Sequence, residues 1–423
     1  MHLPKVKICT FGCASNKADS NIMENLLSGM ALIEDLDSQG VDYVIVNTCS
    51  VKGPTENKVV DFIKKLSLPP YKIIICGCLV SDKKKKKEFS EYSLVSPYNI
   101  TKICDVINFL EHNKKPIHLL GNKKINKIKF IPTKPINIIP ILIGCLGNCT
   151  YCKTKQAKPL FFSYPQKEIL QTIDRLVKSG SHEIWLSSED NGAYGVDLKT
   201  NYIYLLKTIE KKYKNFGVMF RFGMGNPEHI HKHLNETKEF FKNTKCFFKF
   251  LHIPIQSANN SVLKKMNRKY NKKQIERIFS TLKNTVTIST DVICGFPGET
   301  ENHFLETHKF IKKHKPLITN VSQFWVRPFT KSEKMKQHTS EVRKARSSKL
   351  SALQKTIIKS QLNPYKNKTL DIFVDEQDSL GSLWGRTRNY VLVKIKSKSK
   401  KDLEMGKWHK LRIKGIERNH LVV

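Results

Sequence analysis

The sequence predicts an α/β protein in three parts: an N-terminal parallel α/β domain over 1–112, a partial parallel barrel over 135–361, and a small antiparallel β-barrel of the oligonucleotide-binding kind over 362–423. Three observations predict it. Short apolar runs alternate with helical patterns through the first part, the signature of a parallel sheet with helices on its faces. The alternation continues at longer spacing through six strand–helix units, as in a closed or partial barrel with its functional residues on the loops after the strands. Beyond residue 361 the pattern changes to short strands with glycine or polar turns between them.

In order, "KVKICTF" is a strand and "NKADSNIMENLLSGM" a helix; "DYVIVNT" is a strand and "ENKVVDFIKKLS" a helix; "YKIIICG" is a third strand, and "ITKICDVINFLEH" closes the domain as a helix. Residues 113–134 read as a linker. The barrel strands are "INIIPILIG", "EIWLSS", "VMFRFGM", "FFKFLHIPI", "TISTDVICGF" and "ITNVSQFWV". Between the first two lies "PQKEILQTIDRLVKSG", a helix opened by Pro165 and closed by Gly180, with Ile169, Ile173, Leu176 and Val177 on one face. The last part offers "TLDIFVDE", "GSLWGRTRN", "YVLVKIKS" and "KWHKLRIKGIE" as strands.

A chain of 423 residues favours two or three domains, and 39% hydrophobic residues suffice for packed cores. No apolar run reaches the ~20 residues of a membrane span. The first residues lack a signal-peptide core and the last carry no hydrophobic tail, so the expectation is a cytoplasmic monomer without a membrane anchor. The formal charge of +37 suits a polyanionic partner, nucleic acid first. Lys83–Lys87, "KKKKK", reads as an exposed loop rather than an RNA clamp. With no secretion signal, the eleven cysteines point to metal or redox chemistry rather than disulfides.

Cys145, Cys149 and Cys152 follow a C-x-x-x-C-x-x-C spacing in "GCLGNCTYCKTKQA". Structural zinc takes four Cys or His ligands, and a closed iron–sulfur cluster four cysteines. The next histidine, His182, has no paired ligand nearby. On spacing alone an open cluster, zinc and no metal all remain. Cys13, Cys49 and Cys78 each follow a predicted strand of the first domain, and so share the carboxyl edge of one sheet, where open α/β sheets bind ligands. Cys9 and Cys76 lie inside strands and read as structural, as do Cys104, Cys246 and Cys294. His229 and His233 of "HIHKH" share a helix face but lack a third metal ligand.

The cysteine loop after the first barrel strand resembles that of the radical S-adenosylmethionine (SAM) superfamily. The resemblance implies that Cys145, Cys149 and Cys152 hold a 4Fe–4S cluster whose fourth iron binds SAM and cleaves it to a 5′-deoxyadenosyl radical. It further implies SAM contacts from Tyr151, from Ser188 and Glu189 in "SSED", from Arg221, and from Gln256 and Ile293 in "PIQSAN" and "DVICGFPGET". "SSED" departs from the superfamily's usual Gly-Gly-Glu.

With "GCASNKADS", "NTCSV" and "GC" added, essentially the whole chain resembles the methylthiotransferases. That resemblance implies a second 4Fe–4S cluster on Cys13, Cys49 and Cys78 and a C-terminal TRAM domain that binds RNA. It also implies two uses of SAM, one methylating a cluster-held sulfur and one generating the radical. An electron donor and a sulfur donor would be needed, and the sequence identifies neither.

"CTYCKTKQAKP", "EIWLSSEDNGAYG", "FGMGNP" and "FLHIPIQS" resemble the archaeal and eukaryotic-type subgroup, which acts on N6-threonylcarbamoyladenosine at tRNA position 37. Gly225, Ala258 and Phe329 depart from it. In "GRTRNY", Arg386, Arg388 and Tyr390 are expected to meet RNA, through phosphate pairing and base stacking. N6-isopentenyladenosine or a ribosomal-protein aspartate is the alternative substrate. A non-catalytic, zinc-containing RNA-binding protein is the alternative of another class.

Overall fold

The computed structural model describes residues 3–34, 40–49, 53–121, 123, 126–132, 134–396 and 403–423. Ser50 and Val51 of "NTCSV" and Ser397 of "YVLVKIKS" lie outside the described residues.

The first domain runs β1 (Lys5–Thr10), α1 (Ala14–Leu27), β2 (Leu32–Glu34), β3 (Tyr43–Thr48), α2 (Gly53–Lys64), β4 (Ile73–Gly77), α3 (Lys83–Glu88), β5 (Ser93–Val95), α4 (Ile103–Asn113) and β6 (His118–Leu119). Its sheet has the order β2-β1-β3-β4-β5-β6, every pair parallel. β3 and β4 are buried along their whole length, which is why "YVIVNT" and "IIICG" read as continuous rather than alternating apolar runs. Two expectations change here. The lysine run is a helix, because the Asp82 side chain caps it by accepting from the Lys84 and Lys85 amides. The segment read as a linker supplies β6, and it places Lys127, 1% exposed, in a buried ion pair with Asp19 of α1.

The middle part runs β7 (Ile136–Pro140), β8 (Leu142–Ile143), α5 (Thr154–Ala157), β9 (Phe162–Ser163), α6 (Gln166–Lys178), β10 (Glu183–Ser187), α7 (Tyr202–Tyr213), β11 (Met219–Phe222), α8 (Pro227–Lys232), α9 (Leu234–Asn243), β12 (Phe250–His252), α10 (Asn260–Lys265), α11 (Lys272–Leu282), β13 (Thr287–Cys294), α12 (Glu301–His314), β14 (Ile318–Gln323) and α13 (Ser340–Leu362). The six expected strands form two parallel runs, β7–β10–β11 and β12–β13–β14, joined by the bridges Phe220–Phe247 and Met224–His252. Phe222 turns outward to stack on Tyr202 of α7, with centroids 5.3 Å apart. Ile169, Ile173 and Leu176 of α6 are buried, as the helical spacing predicts.

The last part comprises β15 (Thr369–Gln377), β16 (Leu383–Thr387), β17 (Leu392–Ile395), β18 (Lys407–Arg412), β19 (Gly415–Glu417) and β20 (His420–Val422), ordered β18-β15-β16-β17-β20-β19. "KWHKLRIKGIE" is two strands rather than one, and "HLV" is a further strand that the sequence reading missed. This sheet packs on the amino end of the barrel, where the Lys249 amide donates to the Arg388 carbonyl at 2.8 Å. The first domain covers the carboxyl end. No helix among the described residues is long and apolar enough to cross a membrane.

Candidate cluster-binding site between the first two domains

The loop after β8 leaves its strand through Gly144, φ +86°, where a Cβ would lie 2.0 Å from the Leu160 carbonyl oxygen. Only glycine fits that turn. The loop is pinned from below: the Thr150 amide donates to the Met266 carbonyl at 3.1 Å, and its hydroxyl to the Lys265 carbonyl at 2.9 Å. Each sulfur has a donor aimed at it. The Gly147 amide lies 3.2 Å from Cys145 Sγ, Arg268 Nη1 3.3 Å from Cys149 Sγ, and the Thr154 amide 3.4 Å from Cys152 Sγ. Such bonds favour thiolate and tune sulfur-ligated metals.

Cys13, Cys49 and Cys78 stand after β1, β3 and β4, three adjacent strands of one parallel sheet. Asn16 ties their loops together. Its side-chain oxygen accepts from the Cys13 amide at 3.3 Å, while its amide donates to Asn47 Oδ1 at 3.1 Å and to the Thr48 carbonyl at 3.0 Å. Thr48 continues the chain: its hydroxyl donates to the Cys76 carbonyl at 2.5 Å and accepts from the Leu79 amide at 3.1 Å. The loops approach so closely that a Cβ on Gly12 would lie 2.8 Å from the Cys49 Cβ. Burial pushes the Cys78 thiol up to about 12 against the pull of Lys158, with Cys49 and Cys13 adding to the rise.

Lys158 joins the two triads. It is 4% exposed, and its ammonium donates to Glu189 Oε1 at 2.5 Å and to Ser15 Oγ at 2.6 Å. Glu189 Oε2 accepts from the Gly144 amide at 3.0 Å, at the root of the barrel's cysteine loop. Burial alone would raise the Glu189 carboxyl; Lys158, the Gly144 amide and Lys127 together hold it below the ordinary carboxylate range. Two further barrel cations grip the first domain, Lys153 on Asp82 at 2.5 Å and Arg327 on Glu56, all four side chains nearly buried.

Of the residues expected to contact SAM, Tyr151 and Ile293 pack in one apolar cluster with Phe296. The Ile293 amide donates to the Gln256 carbonyl at 3.0 Å, and Gln256 holds a left-handed φ of +62°. Glu189 faces Lys158 and Gly144. The Ser188 hydroxyl is turned to Asn191 and accepts from the Asp190 amide at 3.1 Å. Arg221 is not with them. Its guanidinium lies over Trp185 (4.6 Å), Phe250 (5.4 Å) and Tyr390 (5.2 Å), facing the C-terminal sheet.

Two family models match the chain: the Radical SAM superfamily over residues 139–311 and Uncharacterized protein family UPF0004 over residues 5–95. A probable threonylcarbamoyladenosine tRNA methylthiotransferase of Pyrococcus horikoshii is 33% identical over 99% of this chain and 98% of its own length. The chain belongs to the threonylcarbamoyladenosine tRNA methylthiotransferase family. The Homo sapiens threonylcarbamoyladenosine tRNA methylthiotransferase is 36% identical over 82% of this chain and 62% of that protein. Among solved structures, the radical SAM methyltransferase TsrM of Kitasatospora setae, with cobalamin and a 4Fe–4S cluster bound, superposes with a TM-score of 0.53 at 12% identity, covering 78% of this chain and 77% of that one. That likeness establishes the fold.

Membership in a radical SAM methylthiotransferase family implies a 4Fe–4S cluster and SAM, and the residues present fit them. Three thiols with N–H donors on their sulfurs stand beside the apolar cluster of Tyr151, Ile293 and Phe296. Burial pushes Cys145 up to about 12, so metal loading must expel its proton. Among the described residues, the group of His, Cys, Asp and Glu whose ligand atoms all lie within 4.8 Å is Asp190, Glu228 and His229, and neither cysteine triad closes that far. A single zinc with ~2.3 Å bonds would draw thiolates to about 3.8 Å apart. Asp190 therefore gives His229 the company that "HIHKH" lacked, while His233 pairs with Glu236 at 2.9 Å. Asp190 also accepts from the Asn226 amides at 2.9 Å, and Asn226 accepts from Arg268, so the cluster braces the arginine behind Cys149.

The residues expected to meet RNA are placed elsewhere. Arg386 is 9% exposed and paired with Asp375, and Tyr390 packs 4.9 Å from both Phe248 and Phe250. Arg388 donates to the Lys245 carbonyl at 2.6 Å and lies 4.8 Å over Trp408. All three lie at the contact between the methylthiotransferase barrel and its C-terminal sheet, Arg386 buried there and Arg388 and Tyr390 half-buried. Sequence reasoning missed Asn16, Lys158 and Arg268. Only Asn16 left a local signal: an Asn three residues after Cys13 at a helix start is capping-box spacing.

Proposed function

We propose that this chain methylthiolates C2 of N6-threonylcarbamoyladenosine at tRNA position 37, with one 4Fe–4S cluster on Cys145, Cys149 and Cys152 and a second on Cys13, Cys49 and Cys78. The observation that carries the reading is the convergence of two three-cysteine sets, each one ligand short, on either side of the buried Lys158–Glu189 pair. When bound, the clusters and SAM supply a carbon radical able to break an unactivated C–H bond, and the sulfur to replace the hydrogen. Glu189, oriented by Lys158 and the Gly144 amide, offers a carboxylate to the SAM ammonium. Tyr151, Ile293 and Phe296 exclude water from that side. Arg268 fixes Cys149 and balances thiolate charge. The segments 1–112, 135–361 and 362–423 act as cluster domain, radical SAM barrel and TRAM-type RNA-binding domain, in the cytoplasm, with a separate reductant and sulfur donor. In the last domain the exposed Lys407, Lys410 and Arg412 of β18 are available to phosphate.

The test is anaerobic reconstitution with SAM, a chemical reductant and tRNA carrying threonylcarbamoyladenosine, followed by nucleoside mass spectrometry. The expected product is the 2-methylthio derivative, from protein holding about eight irons. Zinc without iron would overturn the chemistry. Product only on isopentenyladenosine tRNA, or on a ribosomal-protein aspartate, would overturn the substrate.

A further inference from the structure

The rim of the barrel's carboxyl end exposes large apolar side chains that the chemistry above does not use. Trp325, Val326 and Phe329, on the loop after β14, are 45%, 38% and 51% exposed, and Leu146 of the cysteine loop is 41% exposed. Phe329 holds a left-handed φ of +63°, a conformation that a bulky residue seldom adopts. Its backbone is clamped there. The Gln156 side-chain amide donates to the Phe329 carbonyl at 2.8 Å, and the Phe329 backbone amide donates to Glu333 Oε2 at 2.7 Å. A strained position that still points a half-exposed ring outward is the kind kept at a binding surface.

The loop stands where both triads meet. The Ser332 amide donates to the Thr150 carbonyl, between Cys149 and Cys152, at 2.9 Å. Arg327 pairs with Glu56 of α2, the helix after Cys49. Ser81, just after Cys78, donates to the Ala157 carbonyl at 3.3 Å. The lysine helix α3 flanks the patch: Lys84 Nζ lies 5.7 Å from the Phe329 ring centroid, and Lys83, Lys84 and Lys87 are exposed. An aromatic ring beside exposed lysines suits one class of ligand, an unpaired base whose backbone phosphates need a cation.

We propose that Phe329, with Lys84 beside its ring, is the stacking platform that receives an unpaired base of the RNA loop at the barrel rim, next to the cysteine loop. This rests on the tRNA reading above and moves the RNA contact from Arg386 and Tyr390, which pack against the amino end of the barrel, to the barrel rim.

The experiment uses the full-length, anaerobically reconstituted protein and a dye-labelled anticodon stem-loop, with 2-aminopurine next to the modified adenosine. Phe329→Gly should weaken binding about tenfold and abolish the 2-aminopurine quenching, the loss expected of one stacked base. The same variant should keep or raise the melting temperature, because glycine accepts a positive φ without strain. Lys84→Gln should weaken binding and flatten its salt dependence. Wild-type affinity and quenching in Phe329→Gly would overturn the platform alone, while wild-type protein still binding and modifying the RNA would leave the function standing. A wild-type protein that binds no stem-loop would overturn both.

Discussion

The two cysteine triads reach similar ends by different routes. In the barrel, Cys145, Cys149 and Cys152 sit on one loop, shaped by a glycine turn and a few hydrogen bonds to neighbouring loops. In the first domain, Cys13, Cys49 and Cys78 come from three strands and meet only if β1, β3 and β4 are in register. The local triad is a property of a segment; the distributed triad is a property of a fold. The most direct way to break the comparison is to remove one sulfur from each. Cys49→Ala should leave SAM cleavage largely intact and abolish methylthio transfer, with iron falling from about eight to about four per chain. Cys149→Ala should abolish both activities at the same iron count. Loss of both activities in Cys49→Ala, with the barrel cluster still loaded, would mean that the triads do not divide the chemistry.

If the distributed triad depends on the fold, a lesion remote from sulfur should empty it selectively. Lys127 and Asp19 form a buried pair under α1, whose N-cap is Cys13. Removing one partner leaves a buried charge uncompensated, at a cost of about 3–5 kcal/mol. Lys127→Met should therefore lose iron from the first domain while the barrel cluster keeps its EPR signal, and adding Asp19→Leu should restore the lost iron. Equal loss from both triads would show that the pair supports the whole molecule.

The same contrast explains what was legible in the sequence. The barrel triad is a local motif, so its spacing sufficed. The distributed triad was legible because each cysteine follows an apolar run of recognisable strand type, and parallel topology places such ends on one edge. What escaped were partners chosen by tertiary approach. Nothing around Lys158 announces that it meets Ser15 and Glu189. The two-residue β6 is too short to carry a period, and "KKKKK" starts its helix on an Asp82 cap that a charge run does not announce. Arg386 and Tyr390 read as RNA contacts because sequence displays their chemistry but not the barrel end that covers them.

That covered end gives the mildest test. Glu183, at the start of β10, and Asp375 are both fully buried and share the single guanidinium of Arg386, with Tyr390 packed beside them. The two carboxylates contact one guanidinium, Arg386, and the next cation, Arg221, lies over Trp185 and Tyr390 rather than against either carboxylate. Glu183 Oε2 and Asp375 Oδ1 lack a donor, as a proton held between them would require. Burial, opposed by Arg386 and reinforced by Glu183, pushes the Asp375 carboxyl up to about 8. An unfolded aspartate ionises near 3.9, so the folded protein binds one more proton across the interval between. That stability is complete below the unfolded value, declines as pH rises, and is gone above the folded one. From pH 7 to pH 9 the protein should lose on the order of 1 kcal/mol, read as a falling melting temperature. Glu376 also touches Arg386 but is 54% exposed, so water screens it. Asp375→Asn should flatten the profile while iron content at both triads stays unchanged. A pH dependence that survives in Asp375→Asn would place the proton elsewhere, and iron loss in that variant would mean that the two ends of the barrel are not independent.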